Sequence, residues 1–162
     1  MKSIFVIVCM SFAFHVNNCF AQSSASQTQI WVGVFDGRTP CMDLASQLNE
    51  SVTSECIKIK WRLTLYKDSL TNQPTTYELI GFVYRKGNPR KGEWKIVKGT
   101  KSDPDAVVYQ LDQPGGVPLF FQRGDENILF FLDQEKELMV GNRDFSFTLN
   151  RKKIKAHHYE SR

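Results

Sequence analysis

From Trp31 onward, apolar and polar residues alternate along most of this chain, and turn residues interrupt the alternation at intervals of about eight to twelve residues. The clearest case is Cys56–Tyr66, where Ile57, Ile59, Trp61, Leu63 and Leu65 alternate with Lys58, Lys60, Arg62 and Thr64. A period of two residues is typical of a strand with one buried and one solvated face. The pattern therefore predicts an all-β chain.

Nine candidate strands follow from this alternation: Gln29–Phe35, Cys56–Tyr66, Thr76–Arg85, Glu93–Val97, Ala106–Asp112, Val117–Gln122, Asn127–Asp133, Glu137–Val140 and Phe145–Asn150. Their short connections, rich in Gly, Pro and Asn, favour an antiparallel meander. Closure would remove unpaired edges, so we predict a small eight-to-nine-stranded, lipocalin-like barrel, with a two-sheet sandwich as the alternative. Asp43–Asn49 is expected to form a short helix.

Aromatic residues recur along the strands, on faces that could point into a barrel: Trp31, Trp61, Trp94, Tyr109, Phe121, Phe130 and Phe147. Small eight-stranded barrels are either filled by such side chains or leave room for one small ligand. The pattern leaves both arrangements open, and it identifies no ligand-binding residues.

The first 21 residues are typical of a secretory signal, with Lys2, the apolar run Ile4–Phe14 and small residues at the Cys19-Phe20-Ala21 cleavage site. Residues 22–150 are expected to form one barrel domain, and residues 151–162 a basic tail that carries most of the net positive charge. The mature protein is expected to be soluble and extracytoplasmic, either periplasmic or secreted.

Two cysteines, Cys41 and Cys56, remain after removal of the signal. In an oxidising compartment they most simply form one disulfide, and closing a loop of about 15 residues is worth roughly 3 kcal/mol in the chain-entropy model. Metal binding is the alternative, because Cys41 and Met42 place a thiolate beside a thioether, a donor pair that suits Cu(I).

Catalytic chemistry finds little support in the sequence. The only histidines are His15 in the signal and His157 and His158 in the tail, so the commonest general base is missing from the predicted barrel. Asp103 and Asp105 bracket a proline ahead of a strand, which is ordinary turn chemistry. We therefore expect a protein that is not an enzyme.

The segments Trp31–Phe35 and Thr39–Asp43 together resemble the N-terminal domain of the copper resistance protein NlpE family, whose members open with an aromatic-x-Gly strand leading to Pro-Cys-x-x-Cys. The long strand Ile57–Tyr66 and the run Gly92–Ile96 are also similar to that family. Leu44 stands where the family has its second cysteine. The resemblance implies a small lipocalin-like or OB-like barrel in the cell envelope, with a link to copper or to envelope stress.

The sequence thus predicts an exported, non-enzymatic, NlpE-like barrel that acts as an envelope binding or sensing module. The alternative is a lipocalin-like carrier of a small apolar ligand. The expected partner is a small ligand or an envelope protein, with no nucleic acid and no membrane span. No cofactor is expected, apart from copper at Cys41 and Met42.

Overall fold

The structure is a computed structural model that describes residues 28–82 and 87–153. The described chain is all-β apart from one short helix, α1 (Met42–Gln47). Its eight strands are β1 (Gln29–Pro40), β2 (Lys58–Asp68), β3 (Pro74–Ile80), β4 (Arg90–Lys98), β5 (Val107–Leu111), β6 (Leu119–Arg123), β7 (Ile128–Leu132) and β8 (Thr148–Arg151).

Each strand pairs antiparallel with its neighbours in sequence, and β8 pairs with β1, so the sheet closes into a barrel. The predicted barrel is confirmed, and the sandwich alternative is excluded. In β2, buried residues alternate with exposed or half-buried ones from Lys58 to Tyr66, as the sequence pattern predicts. Closure pairs every strand on both sides and leaves no sheet edge open.

Inward-facing side chains from all eight strands fill the barrel, together with residues of the α1 region. The central cluster of buried residues comprises Phe35, Cys41, Leu44, Ile59, Trp61, Leu63, Leu65, Tyr77, Leu79, Trp94, Tyr109, Leu111, Leu119, Phe121, Leu129, Phe131, Phe147 and Leu149. Aromatic contacts run through this cluster, with Phe131 lying 4.5 Å from Phe121 and 5.6 Å from Trp61 between ring centroids. The interior is therefore packed with side chains, which is one of the two arrangements that the sequence left open.

Trp61 occupies an inward position of β2, and the residues around it are packed closely against its ring. Its side chain is 4% exposed, and its indole Nε1–H donates to the buried Thr39 hydroxyl at 2.9 Å. Gly81 lies against the indole, where any Cβ atom would collide with the ring. The strands around Trp61 are thus fitted to one large ring.

The predicted helix forms as α1, which begins one residue earlier and ends two residues earlier than expected. Leu44 and Ala45 are buried, and Leu44 belongs to the central cluster. Since α1 directly follows β1, it packs against the end of the barrel where β1 finishes and β2 begins. The buried residues Leu44 and Ala45 of this short helix therefore help to close that end.

The prediction of a strand at Glu137–Val140 is wrong. After β7 the chain makes a tight turn in which the Asp133 carboxylate accepts the Glu137 N–H at 2.8 Å, with Lys136 at φ 61°. Only one isolated bridge follows, between Leu138 and Leu132. Because Glu137–Val140 makes only this one bridge, it does not form a strand and is largely exposed. Val140, for example, is 87% exposed.

Three apolar residues do not lie where the alternation places them. Ile57 precedes β2 and is 73% exposed, since that strand begins only at Lys58. Trp31 is 60% exposed, because a register irregularity between Trp31 and Gly33 interrupts the alternation along β1. Phe130 lies between the buried Leu129 and Phe131 of β7 and so faces outward, over Gly124.

The predicted barrel boundary also shifts by one residue. Arg151, assigned above to the basic tail, ends β8 and places its guanidinium 4.8 Å from the ring centroid of Phe35, with a hydrogen bond to the Val32 carbonyl. The predicted signal (1–21) and the tail beyond Lys153 lie outside the described residues. None of the helices within the described ranges is long and apolar enough to cross a membrane.

Replacing Trp61 with alanine should lower the free energy of unfolding by about 3 to 5 kcal/mol, since it removes a buried ring and leaves the Thr39 hydroxyl unpaired. The control is Lys60→Ala on the neighbouring outward position, which should change stability by less than about 0.5 kcal/mol. Urea unfolding of both variants measures the difference. Equal losses would mean that Trp61 does not face the core.

Candidate functional site

Cys41 and Cys56 form a disulfide, as predicted, with their Cα atoms 5.7 Å apart. Cys41 is 1% exposed and belongs to the central cluster, so the bond joins the end of β1 to the segment that leads into β2. The bridge thereby encloses α1 in a closed loop. The disulfide is therefore a covalent cross-link across one end of the barrel.

The predicted copper ligands do not form a preassembled site in this oxidised chain. The Cys41 sulfur is bonded to Cys56, whereas the Met42 side chain lies at the start of α1 and is half exposed. Within residues 28–82 and 87–153, no group of three or more His, Cys, Asp or Glu side chains could hold a metal ion. Copper binding stays a prediction, and it requires the disulfide to be reduced.

The strongest candidate site lies on the outside of the barrel. A depression of about 670 Å³ opens across β8, β1, β2 and β3, and we call it the basic face; it is lined by Asp36, Gly37, Arg38, Lys60, Trp61, Arg62, Ile80, Ser146, Thr148 and Asn150. Most of these side chains occupy the outward positions of strands whose inward positions fill the core. Strand alternation and barrel closure therefore bring them together.

A tight ion pair lies at the centre of the basic face. Arg62 donates from Nε and Nη2 to the two carboxylate oxygens of Asp36, at 2.7 and 2.6 Å. The hydrogen bond from Arg62 is the main cause that lowers the pKa of Asp36 below its usual value, and the same bond raises the pKa of Arg62. Asp36 is thus charged at neutral pH and holds the guanidinium in a fixed orientation.

Beside that pair, two cations occupy opposed positions and have no counterion among the described residues. Arg38 on β1 lies directly opposite Lys60 on β2 in the ladder, and both side chains are exposed. No acidic side chain in the described part of the chain lies within 4.0 Å of either charge. Because like charges at directly opposed positions destabilise a sheet, the fold gains nothing from this arrangement.

Further cations border the basic face. Lys58 lies two positions before Lys60 on the same side of β2, with its Nζ 5.6 Å from the ring centroid of Phe145. Lys152 lies 4.0 Å from Asp36 on the opposite side. The described residues contain sixteen basic and sixteen acidic side chains in total. Five cations around a single carboxylate are therefore a local excess on a neutral body.

Two other depressions on the described surface each contain an ion pair. One of about 340 Å³ beside the disulfide loop contains Arg90 and Glu50, which lie 4.0 Å apart. Another of about 450 Å³ contains Lys91 and Glu78, paired at 2.8 Å. The cations Arg90 and Lys91 already pair with carboxylates of the protein, whereas Arg38 and Lys60 have no acidic partner among the described residues. This contrast singles out the basic face.

The carboxylates considered for catalysis act as turn residues. The Asp103 carboxylate accepts the Asp105 N–H at 3.0 Å, and the Asp103 N–H donates to the Thr100 hydroxyl at the same distance. Both carboxylates are exposed between β4 and β5. This is the local hydrogen bonding by which aspartates stabilise turns.

Only part of the basic face was predicted from the sequence. The outward positions of β2 were expected to be solvent-exposed, but Arg38 was not identified as a site residue. Its position opposite Lys60 depends on the β1–β2 register, which is continuous from Gly33 to Pro40 but shifted before it. No local signal in the sequence reports that register.

The oxidised protein should bind Cu(I) weakly or not at all, because Cys41 and Cys56 use each other as partners and the thiolate that copper prefers is absent. Any uptake should appear only after reduction and should be lost in Cys41→Ser. Competition titration against a Cu(I) chelator measures both. Stoichiometric, tight binding by the oxidised protein would contradict this expectation.

The repulsion between Arg38 and Lys60 should be measurable in a double-mutant cycle of Arg38→Gln, Lys60→Gln and the double variant. Urea unfolding should give an unfavourable coupling of about 0.2 to 1 kcal/mol at low ionic strength. In 1 M salt the coupling should approach zero, since the screening length falls to about 3 Å. A coupling of zero at low salt would show that the two charges do not interact.

No family model, curated protein or solved structure matches this chain significantly. The function is therefore inferred from the closed barrel, its packed interior and the basic face.

Proposed function

We propose that this protein is a non-enzymatic binding module of the exported, NlpE-like type, and that it binds an anionic partner through the basic face. The observation that carries the proposal is the pair of opposed cations, Arg38 and Lys60, which lack an acidic partner among the described residues. An anion placed between them would convert a repulsive pair into two attractive contacts. The arrangement then has a physical reason that folding alone does not provide.

Binding on the outer surface is favoured over the carrier alternative. The side chains that would line an internal ligand cavity instead contact one another, as the rings of Trp61, Phe131 and Phe121 do. An apolar ligand inside the barrel would have to displace these residues from a close-packed cluster. The outer depression needs no such rearrangement.

Binding is also favoured over catalysis. Residues 28–153 contain no histidine. Of the carboxylates, Asp36 is held by Arg62, Asp103 caps a turn, and Asp112 accepts hydrogen bonds from Gln110 and Lys95. Each of these groups has a structural partner that accounts for its position.

An envelope location fits the remaining features. The disulfide is a bond that persists in oxidising compartments, and the first 21 residues have the pattern of an export signal. The resemblance to the NlpE family points to the same compartment. The copper link that the resemblance implies is kept apart from the basic face, since Cys41 and Met42 are not among the residues that line it.

The proposal predicts that Arg38→Gln/Lys60→Gln weakens binding to a sulfated polysaccharide such as heparin by roughly tenfold, because two surface contacts are lost at up to about 1 kcal/mol each. The measurement is affinity at low ionic strength, together with the salt concentration that elutes the protein from immobilised heparin.

The matched control is Lys95→Gln/Lys98→Gln on β4, which removes the same charge from another part of the barrel. It should keep most of the wild-type affinity. Equal losses in both double variants would indicate attraction to net charge alone. That result, or a lack of polyanion binding by the wild type, would refute the proposed site.

A further inference from the structure

We infer that the partner of the basic face is an extended acidic peptide segment that carries a carboxylate at every second residue. This inference rests on the proposed anion-binding function and gives its ligand a chemical class. Its basis is the spacing of the cations. Lys58, Lys60 and Arg62 occupy successive outward positions of β2, where buried residues fill the positions between them.

The spacing of this row follows from strand geometry. Residues two apart on a strand point to the same side and are separated by roughly 6.7 Å. An extended peptide has the same two-residue repeat, so its alternate side chains can meet successive cations along β2. The row therefore matches the repeat of an extended peptide.

The cations differ in what they can offer such a peptide. One carboxylate of the peptide would bind between Lys60 and Arg38, which lie opposite each other in the ladder. Lys58 would receive the next carboxylate along β2, two residues away. Arg62 uses Nε and Nη2 to hold Asp36, and this leaves about three of its five N–H donors for a further acceptor.

The neighbouring strand supplies neutral polar groups. Thr148 and Asn150 of β8 line the depression, and the Thr148 hydroxyl lies 2.6 Å from that of Ser146. Hydroxyl and amide groups can donate to the backbone carbonyls of a bound chain. Among the described residues of the lining, Trp61 is the one aromatic residue, and at 4% exposure its ring is not available for stacking on a sugar. These polar groups thus suit the backbone of an extended peptide.

The test compares two peptides of identical composition and charge. In one, serine and glutamate alternate over eight residues; in the other, the four glutamates occur as two adjacent pairs. Fluorescence anisotropy with the full mature protein at low ionic strength should give about fivefold tighter binding of the alternating peptide, because only that peptide places all its carboxylates on one side when extended.

The variants locate the preference. Arg38→Gln/Lys60→Gln should bind both peptides weakly and equally, whereas Lys95→Gln/Lys98→Gln should keep the fivefold preference. Preservation of the preference in Arg38→Gln/Lys60→Gln would overturn the inference. Circular dichroism of each variant establishes that it is folded, so that a loss of binding reports on the site.

The outcomes also separate this inference from the proposed function. Equal affinity of the wild type for the two peptides, or heparin binding without peptide binding, would overturn the peptide inference and leave the anion-binding function standing. If the wild type bound neither heparin nor either peptide, both would fail. A preference for the alternating peptide that depends on Arg38 and Lys60 supports both.

Discussion

The pairing of β8 with β1 is the contact on which the rest of the structure depends, because it turns a meander into a closed barrel. Asn150 lies opposite Asp36 in this ladder, and Leu149 lies opposite Gly37. The side chain of residue 37 would point at the Thr148 carbonyl, so only glycine allows the strands to approach this closely. Arg151 reinforces the closure through the Val32 carbonyl and the ring of Phe35.

Closure of the barrel separates inward-facing from outward-facing side chains, and the two groups have different roles. Inward positions supply stability, and their aromatic rings occupy the space that a larger barrel would offer to a ligand. Outward positions are free to carry charge. The same ladder that buries Trp61 beside Gly37 places Arg38 against Lys60 one residue away. The core and the basic face are therefore two consequences of one register.

The sequence predicted those parts of the fold that depend on local pattern. The alternation in β2, the short helix and the single disulfide were all identified, because each has a signal within a few residues or follows from a cysteine count. The strand at Glu137–Val140 was wrong, since alternation alone does not tell a paired strand from a segment that makes one bridge to Leu132. The irregularity at Trp31 was equally invisible, because bulges arise from pairing with a partner strand.

The basic face could not be predicted from the sequence for the same reason, because it depends on the pairing of residues that are distant in sequence. Arg38 and Lys60 are separated by α1 and the whole disulfide loop in sequence, and only the β1–β2 ladder brings them together. The ladder fixes the backbone of both residues before binding, so only their side chains lose freedom when an anion binds. The repulsion between them is small relative to the packed core that opposes it. A filled barrel can thus hold a mildly unfavourable charge arrangement on its outer surface, where an anion would relieve it.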